Sequence, residues 1–170
     1  MAGALIIAAK LGAADFAWLD ALRRRHFPPE RNQLPAHLTM FHALPPSVEG
    51  EVRGRLLALA SEGPPRATIG GLMNLGGGVA FRIVSDELDR IREQIAQDLH
   101  GVLSAQDAAG WRPHVTIQNK VSPKTATALL RSLEPAFRPR PLSITGLGLH
   151  RYLGGPWDEL AVYPFRGRPS

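Results

Sequence analysis

A duplicated, two-lobed α/β (α+β) fold is the class this chain predicts, and three features lead to it. A short pattern occurs twice, as His37-Leu38-Thr39-Met40 and as His114-Val115-Thr116-Ile117. Each copy lies inside an apolar segment that is followed by a helix-start signal. The order strand, helix, His-x-Thr strand, helix, strand then runs through both halves. The first strands of the halves, at Ala4 and Val79, stand almost as far apart as the two histidines. Residues 1–170 are therefore taken as one bilobal domain with pseudo-repeats of about 1–75 and 76–170.

Ala4–Ala9 is an apolar strand, and Asp15 is placed to cap a helix whose Phe16, Leu19 and Leu22 share a face before Pro28-Pro29 stops it. The first His-x-Thr strand runs from about Ala36 to Leu44. Pro45-Pro46 ends it, Ser47 is placed to cap the next helix, and Val52, Leu56 and Leu59 keep helical spacing as far as Gly63-Pro64-Pro65. A strand over about Ala67–Leu75 closes the first unit. Gly76-Gly77-Gly78 leads into a strand, Val79–Val84, so it reads as a hairpin turn and not as a phosphate loop, which would open a helix. Ser85-Asp86 starts a helix with Leu88, Ile91, Ile95 and Leu99 on its stripe. The second His-x-Thr strand, about Pro113–Val121, follows. Ser122-Pro123 then supplies a cap and a first-turn proline for a helix carrying Ala126, Leu129, Leu130 and Leu133. Strands near Leu142–His150 and Leu160–Phe165 finish the order.

Of the 170 residues 44% are hydrophobic and 21% charged, enough to bury a full core. No cysteine is present, which removes disulfides, thiolate nucleophiles and cysteine-bound zinc, and fits a cytoplasmic location. The apolar start is broken by Lys10 and Asp15 and lacks a basic leader, so it is read as a buried strand and not a secretion signal. No apolar run reaches the roughly 18–20 residues a membrane span needs. A net charge of +5 and a pI near 10.4 favour phosphorylated or polyanionic partners.

In a strand, residues i and i+2 project to one face, so each motif presents an imidazole beside a hydroxyl. Two opposed imidazoles suit general base and general acid work near neutral pH, and two hydroxyls suit a phosphate's oxygens. His37 and His114 are expected on adjacent central strands of a shared groove, with Thr39 and Thr116 donating to phosphate. By the same parity Phe41 is placed to stack on a base, and Gln118 and Lys120 to face the cleft; Arg151 is a second candidate cation. A bell-shaped rate profile with limbs at about pH 6–7 would follow. His26, His42, His100 and His150 are taken as structural, and Arg23-Arg24-Arg25 as a solvated helix end.

The two signatures, their spacing and the tail Leu149-His150-Arg151-Tyr152-Leu153-Gly154-Gly155-Pro156-Trp157 resemble the 2H phosphoesterase superfamily, in its LigT-like, 2′-5′ RNA ligase-like branch. The resemblance implies a bilobal fold of two antiparallel-rich sheets with outer helices and a central groove. It implies metal-independent phosphodiesterase chemistry without a cofactor, catalytic roles for His37, Thr39, His114 and Thr116, and a closing hairpin that returns to the site. The expected function is hydrolysis of a 2′,3′-cyclic phosphate at an RNA end or on a small nucleotide, by a monomer. The alternatives are 2′-5′ ligation or cleavage, and a non-catalytic RNA or nucleotide binding module. A two-histidine metal hydrolase is disfavoured, because no carboxylate cluster or His-Glu-x-x-His pattern accompanies the histidines.

Overall fold

The computed structural model describes residues 3–168. Its eight strands are β1 (Leu5–Leu11), β2 (Leu38–Leu44), β3 (Ala67–Asn74), β4 (Val79–Val84), β5 (His114–Gln118), β6 (Arg140–Leu142), β7 (Ile144–Tyr152) and β8 (Trp157–Pro164). The α-helices are α1 (Ala13–His26), α2 (Glu49–Leu59), α3 (Asp86–Asp98), α4 (Ala105–Ala108) and α5 (Pro123–Leu133). Two four-stranded antiparallel sheets result, in the orders β2-β1-β7-β8 and β5-β4-β3-β6.

The sheets do not divide the chain at its midpoint. β3, from the first half, pairs with β4 and β6, while β7 and β8, from the second half, extend β1. Both sheets therefore share one plan: a His-x-Thr strand at the edge, the first strand of the same half beside it, then a strand from the other half. The glycines at 76–78 make the β3–β4 turn, with Gly76 at φ +87° and Leu75 N–H donating to Gly78 O at 2.8 Å. A Cβ on Gly78 would run into the Gln118 carbonyl, so the turn can lie this close to β5 only without a side chain.

Two expected caps are not made. Gly12 occupies the N-cap of α1, and Asp15, in the first turn, instead accepts from Ser143 N–H at 2.7 Å, tying the helix to the start of β7. Ser47 lies within a 3₁₀ turn, Pro46–Val48, and α2 begins after it with no side-chain cap. The Ser85 and Ser122 caps form as expected, accepting from Leu88 N–H and Thr125 N–H.

The histidine strands are the edges of two different sheets, not adjacent central strands. An edge leaves outward backbone groups without a ladder partner. Here side chains from the opposite half supply the partners. Arg23 of α1 donates to Thr116 O at 3.0 Å and to Asn32 Oδ1 at 2.9 Å. Arg92 of α3 donates to Met40 O at 3.2 Å and to Asp107 O at 2.6 Å, and Trp111 Nε1–H donates to Thr39 O at 3.1 Å. Arg23 is 5% exposed and Arg92 8%, which corrects the solvated reading of Arg23. Helix α1 crosses with its arginine: Trp18 packs on Phe81 of β4, ring centroids 5.3 Å apart. The buried apolar residues of both sheets form one continuous cluster.

Arg92 also lies 4.3 Å over the Phe41 ring. Arg92→Leu strips two buried carbonyls of their donor. It is expected to lower the unfolding free energy by about 2–4 kcal/mol in denaturant titration. A loss within about 0.5 kcal/mol, the range typical of a surface substitution, would contradict this bracing role.

Candidate active site

Both imidazoles are held in the same way. His37 Nδ1 lies 2.8 Å from Pro35 O, and His114 Nδ1 lies 2.7 Å from Arg112 O. A carbonyl can only accept, so Nδ1 carries hydrogen in each ring and the Nε2 of the neutral form keeps its lone pair. The segment before His37 is fixed by α1, where Asp20 Oδ1 accepts from Ala36 N–H at 2.9 Å and Arg23 holds Asn32. Along β2 and β5 the burial alternates. Leu38, Met40, Val115 and Ile117 are buried, whereas Thr39, His114 and Thr116, with His37 just ahead of β2, are only partly covered. The hydroxyl of each motif thus shares the face of its imidazole.

Burial pushes the pKa of His37 down from 6.5 to about 4; the Pro35 hydrogen bond works against this, and the charges of Arg23, His114 and His42 lower it further. β2 and β5 also pack against each other. His37 is a neutral imidazole at physiological pH.

The β7–β8 hairpin brings an aromatic residue back to this point. Trp157 lies with its ring centroid 4.7 Å from that of His37 and 5.3 Å from that of His150. Beside them is a cleft of about 620 Å³ on the first sheet, with His37 among its lining residues. Its lining includes Ala8, Phe16, Gly148 and Trp157, with Lys10, His150 and Glu159 among its few charged or polar groups. Burial also lowers the pKa of His150. Neither Trp157 nor His150 was singled out by parity, although the Gly154-Gly155-Pro156-Trp157 turn carries the signal for the hairpin. Arg23 left no signal, since nothing local distinguishes it from Arg24 and Arg25.

The secondary candidates fall elsewhere than parity places them. Register shifts in the β1–β2 ladder, where Ile7 faces Phe41 and Ala8 faces Thr39, break the alternation, so Met40 and Phe41 are both fully buried. Phe41 packs beneath Arg92 and offers no ring to a base. β5 ends at Gln118, and Lys120 has φ +65°, so the two-residue alternation does not carry Lys120 into the cleft. Gln118 is 4% exposed, and its Oε1 has no partner among the described residues. Arg151 pairs with Glu49 Oε1 at 2.6 Å, at the start of α2, while its neighbour His150 lines the cleft. His42 hydrogen-bonds Asp107, which is fully buried and also accepts from the His42 and Ala43 N–H groups. Among the described residues, no group of three or more His, Cys, Asp or Glu side chains is arranged to hold a metal ion. No helix there is long and apolar enough to cross a membrane.

A duplicated antiparallel α/β fold with two His-x-Thr edges defines a class, the 2H phosphoesterases of LigT type. The sequence model of the 2′-5′ RNA ligase superfamily matches residues 12–156, and the chain belongs to that superfamily. Among solved structures, TT0787 of Thermus thermophilus superposes with a TM-score of 0.67 at 20% identity, covering 96% of this chain and 98% of that one. E. coli LigT, solved with 3′-AMP, superposes at 0.58 with 19% identity, over 97% and 99% of the two chains. Another, described as a phosphoesterase, gives 0.60 at 18% identity, over 97% and 99%. A search of curated proteins gave no match.

The lowered His37 value links to stability with a definite sign. The unfolded chain, with an ordinary histidine, takes up the proton first, so this group costs the fold nothing above about pH 6.5 and progressively destabilises it as pH falls to about 4. His37→Asn should flatten the stability curve across that window in denaturant titrations, and the His37 resonances should titrate near pH 4. A midpoint at about 6.5, the ordinary histidine value, would contradict the desolvated, neutral imidazole.

Proposed function

We propose that the protein is a phosphodiesterase that hydrolyses a 2′,3′-cyclic phosphate on an RNA end or small nucleotide, with His37 and His114 as its proton-transfer pair. The observation that carries this reading is the matched pair itself: two imidazoles on sheet edges, each with Nδ1 committed to a carbonyl and Nε2 available. Superfamily membership supports phosphodiester chemistry, and the LigT structures holding 3′-AMP and ATP support a nucleotide as the ligand class.

In this scheme neutral His37 takes a proton from water through Nε2 as the water oxygen bonds to phosphorus. Protonated His114 gives its Nε2 proton to the departing ribose oxygen as that P–O bond breaks. His37 ends protonated and His114 neutral, and exchange with solvent resets them. Thr39 and Thr116 donate to the non-bridging oxygens, where negative charge builds in the transition state. With a 5′-hydroxyl of RNA in place of water as the nucleophile, the same displacement would form its P–O bond as the ribose 3′ P–O bond breaks, giving a 2′-5′ linkage, the reaction that the superfamily's description names.

His37→Ala and His114→Ala should each lower kcat by about 10²–10⁴-fold on a 2′,3′-cyclic nucleotide. Thr39→Val and Thr116→Val should each cost less, on the order of tenfold, with the proton transfers intact. Because kcat/KM reports the free enzyme, its acid limb should lie near pH 4 and not in the usual histidine range, and the rate should survive EDTA. Full activity in the double histidine variant, or loss on chelation with recovery on adding a divalent ion, would overturn the scheme. Turnover of a 2′-5′-linked dinucleotide in preference to the cyclic substrate would shift the reading to the alternative reaction.

A further inference from the structure

We propose that Arg82 is a substrate-positioning cation that holds the phosphate on the 5′ oxygen of the ribose bearing the cyclic phosphate, so that the enzyme favours the end of an RNA strand over a lone nucleoside cyclic phosphate. This rests on the phosphodiester reading above, in which His114 protonates the departing ribose oxygen and the ribose therefore lies on the His114 side of phosphorus.

The placement of Arg82 follows from the register of the second sheet. Arg82 of β4 is the cross-strand partner of His114, and Ala80 is that of Thr116. Residues directly opposite in an antiparallel pair share a face, so Arg82 stands on the face of the imidazole, with the small Ala80 beside the hydroxyl. The first sheet repeats the arrangement. Ala8 pairs with Thr39, and Lys10, two residues on, lines the first-sheet cleft together with His37. Lys10 is the one exposed residue of β1, and Arg82 is exposed on β4. Each half thus carries an alanine and, two residues later, a cation in the strand beside its His-x-Thr strand: Ala8-Ala9-Lys10 and Ala80-Phe81-Arg82.

Arg82 has a cradle of its own. Its guanidinium lies over Gly70 and Gly71 of β3, and a Cβ on Gly71 would stand 2.9 Å from Nη2 and 3.3 Å from Nε. Glycines inside a strand weaken it and mark a close approach, here that of the guanidinium. Nη2 donates to Gly70 O at 3.0 Å, which anchors one corner of the group. Among the described residues Arg82 makes no other side-chain hydrogen bond and no ion pair. Arg151, in contrast, is paired with Glu49, and Arg23 and Arg92 are committed to backbone carbonyls. β3 lies two strand spacings from β5, about 10 Å, so the guanidinium sits inward of the imidazole. A phosphate on the 5′ oxygen stands across the ribose from the cyclic phosphate, and a guanidinium offers the paired donors that its oxygens accept. Lys10 stands on the His37 side, where hydrolysis brings only water.

The test compares kcat/KM on adenosine 2′,3′-cyclic phosphate, on the same nucleotide carrying a 5′-phosphate, and on the dinucleotide adenylyl-adenosine 2′,3′-cyclic phosphate. Wild-type protein should favour the second and third substrates over the first by on the order of tenfold, as a charge-assisted hydrogen bond allows, and high salt should shrink the ratio. Arg82→Ala should bring both ratios close to one, Arg82→Lys should keep part of them, and Lys10→Ala should leave them as in the wild type. A ratio taken within one variant does not change with the amount of folded protein, and melting curves check the fold. Equal kcat/KM on all three substrates in the wild type would overturn the role of Arg82 and leave the histidine pair standing. Wild-type ratios in Arg82→Ala, or their loss in Lys10→Ala, would overturn it as well. An advantage for the 5′-phosphate that the dinucleotide lacks would overturn the RNA strand as its source, and turnover of none of the three would overturn the phosphodiester reading itself.

Discussion

The rest of the structure depends on how two unpaired sheet edges are satisfied. β2 and β5 bear the histidines, and neither has a strand on its outer side. Two such edges could pair with one another, and a continuous ladder would leave no groove. Instead Arg23, Arg92 and Trp111 take the outward carbonyls of Thr116, Met40 and Thr39, each reaching from the opposite half of the chain. Buried backbone acceptors need partners, and these donors satisfy them where no neighbouring strand does.

The same bracing shapes the electrostatics. Arg23 is buried because it must reach Thr116, and its charge then contributes to the low pKa of His37, after the larger effect of burial. A residue that holds one motif thus adjusts the proton affinity of the other. Trp157 arrives by a separate route, from a hairpin that exists because β7 and β8 of the second half extend the first sheet. Strand exchange between the halves therefore brings the Trp157 ring beside His37.

Much of this was legible in the sequence because it is local and periodic. The two His-x-Thr strands, the apolar stripes of α3 and α5, the Ser85 and Ser122 caps and the glycine hairpin all follow from spacing within a few residues. What parity missed is what depends on distant partners. Ladder irregularities turned Phe41 inward, the backbone at Lys120 left the strand, and Arg151 found Glu49. Asp15 and Ser47 have the chemistry of caps, yet Asp15 was claimed by Ser143 N–H and the 3₁₀ turn displaced Ser47. Arg23 lies in a run of three arginines, and only the crossing of α1 onto the second sheet separates it from its neighbours. The duplication was visible, but the exchange of β3 with β7 and β8 was not, since strand pairing between halves leaves no trace in either half alone.

The claim that the two edges act on one phosphorus from opposite sides is tested most directly by a crystal structure with a nucleoside vanadate, whose trigonal bipyramid imitates the displacement. His37 Nε2 and His114 Nε2 should each lie about 2.6–3.2 Å from a different apical oxygen, with Thr39 and Thr116 hydroxyls on the equatorial ones. A vanadate bound by one imidazole alone, with the other beyond reach of either apical oxygen, would contradict it.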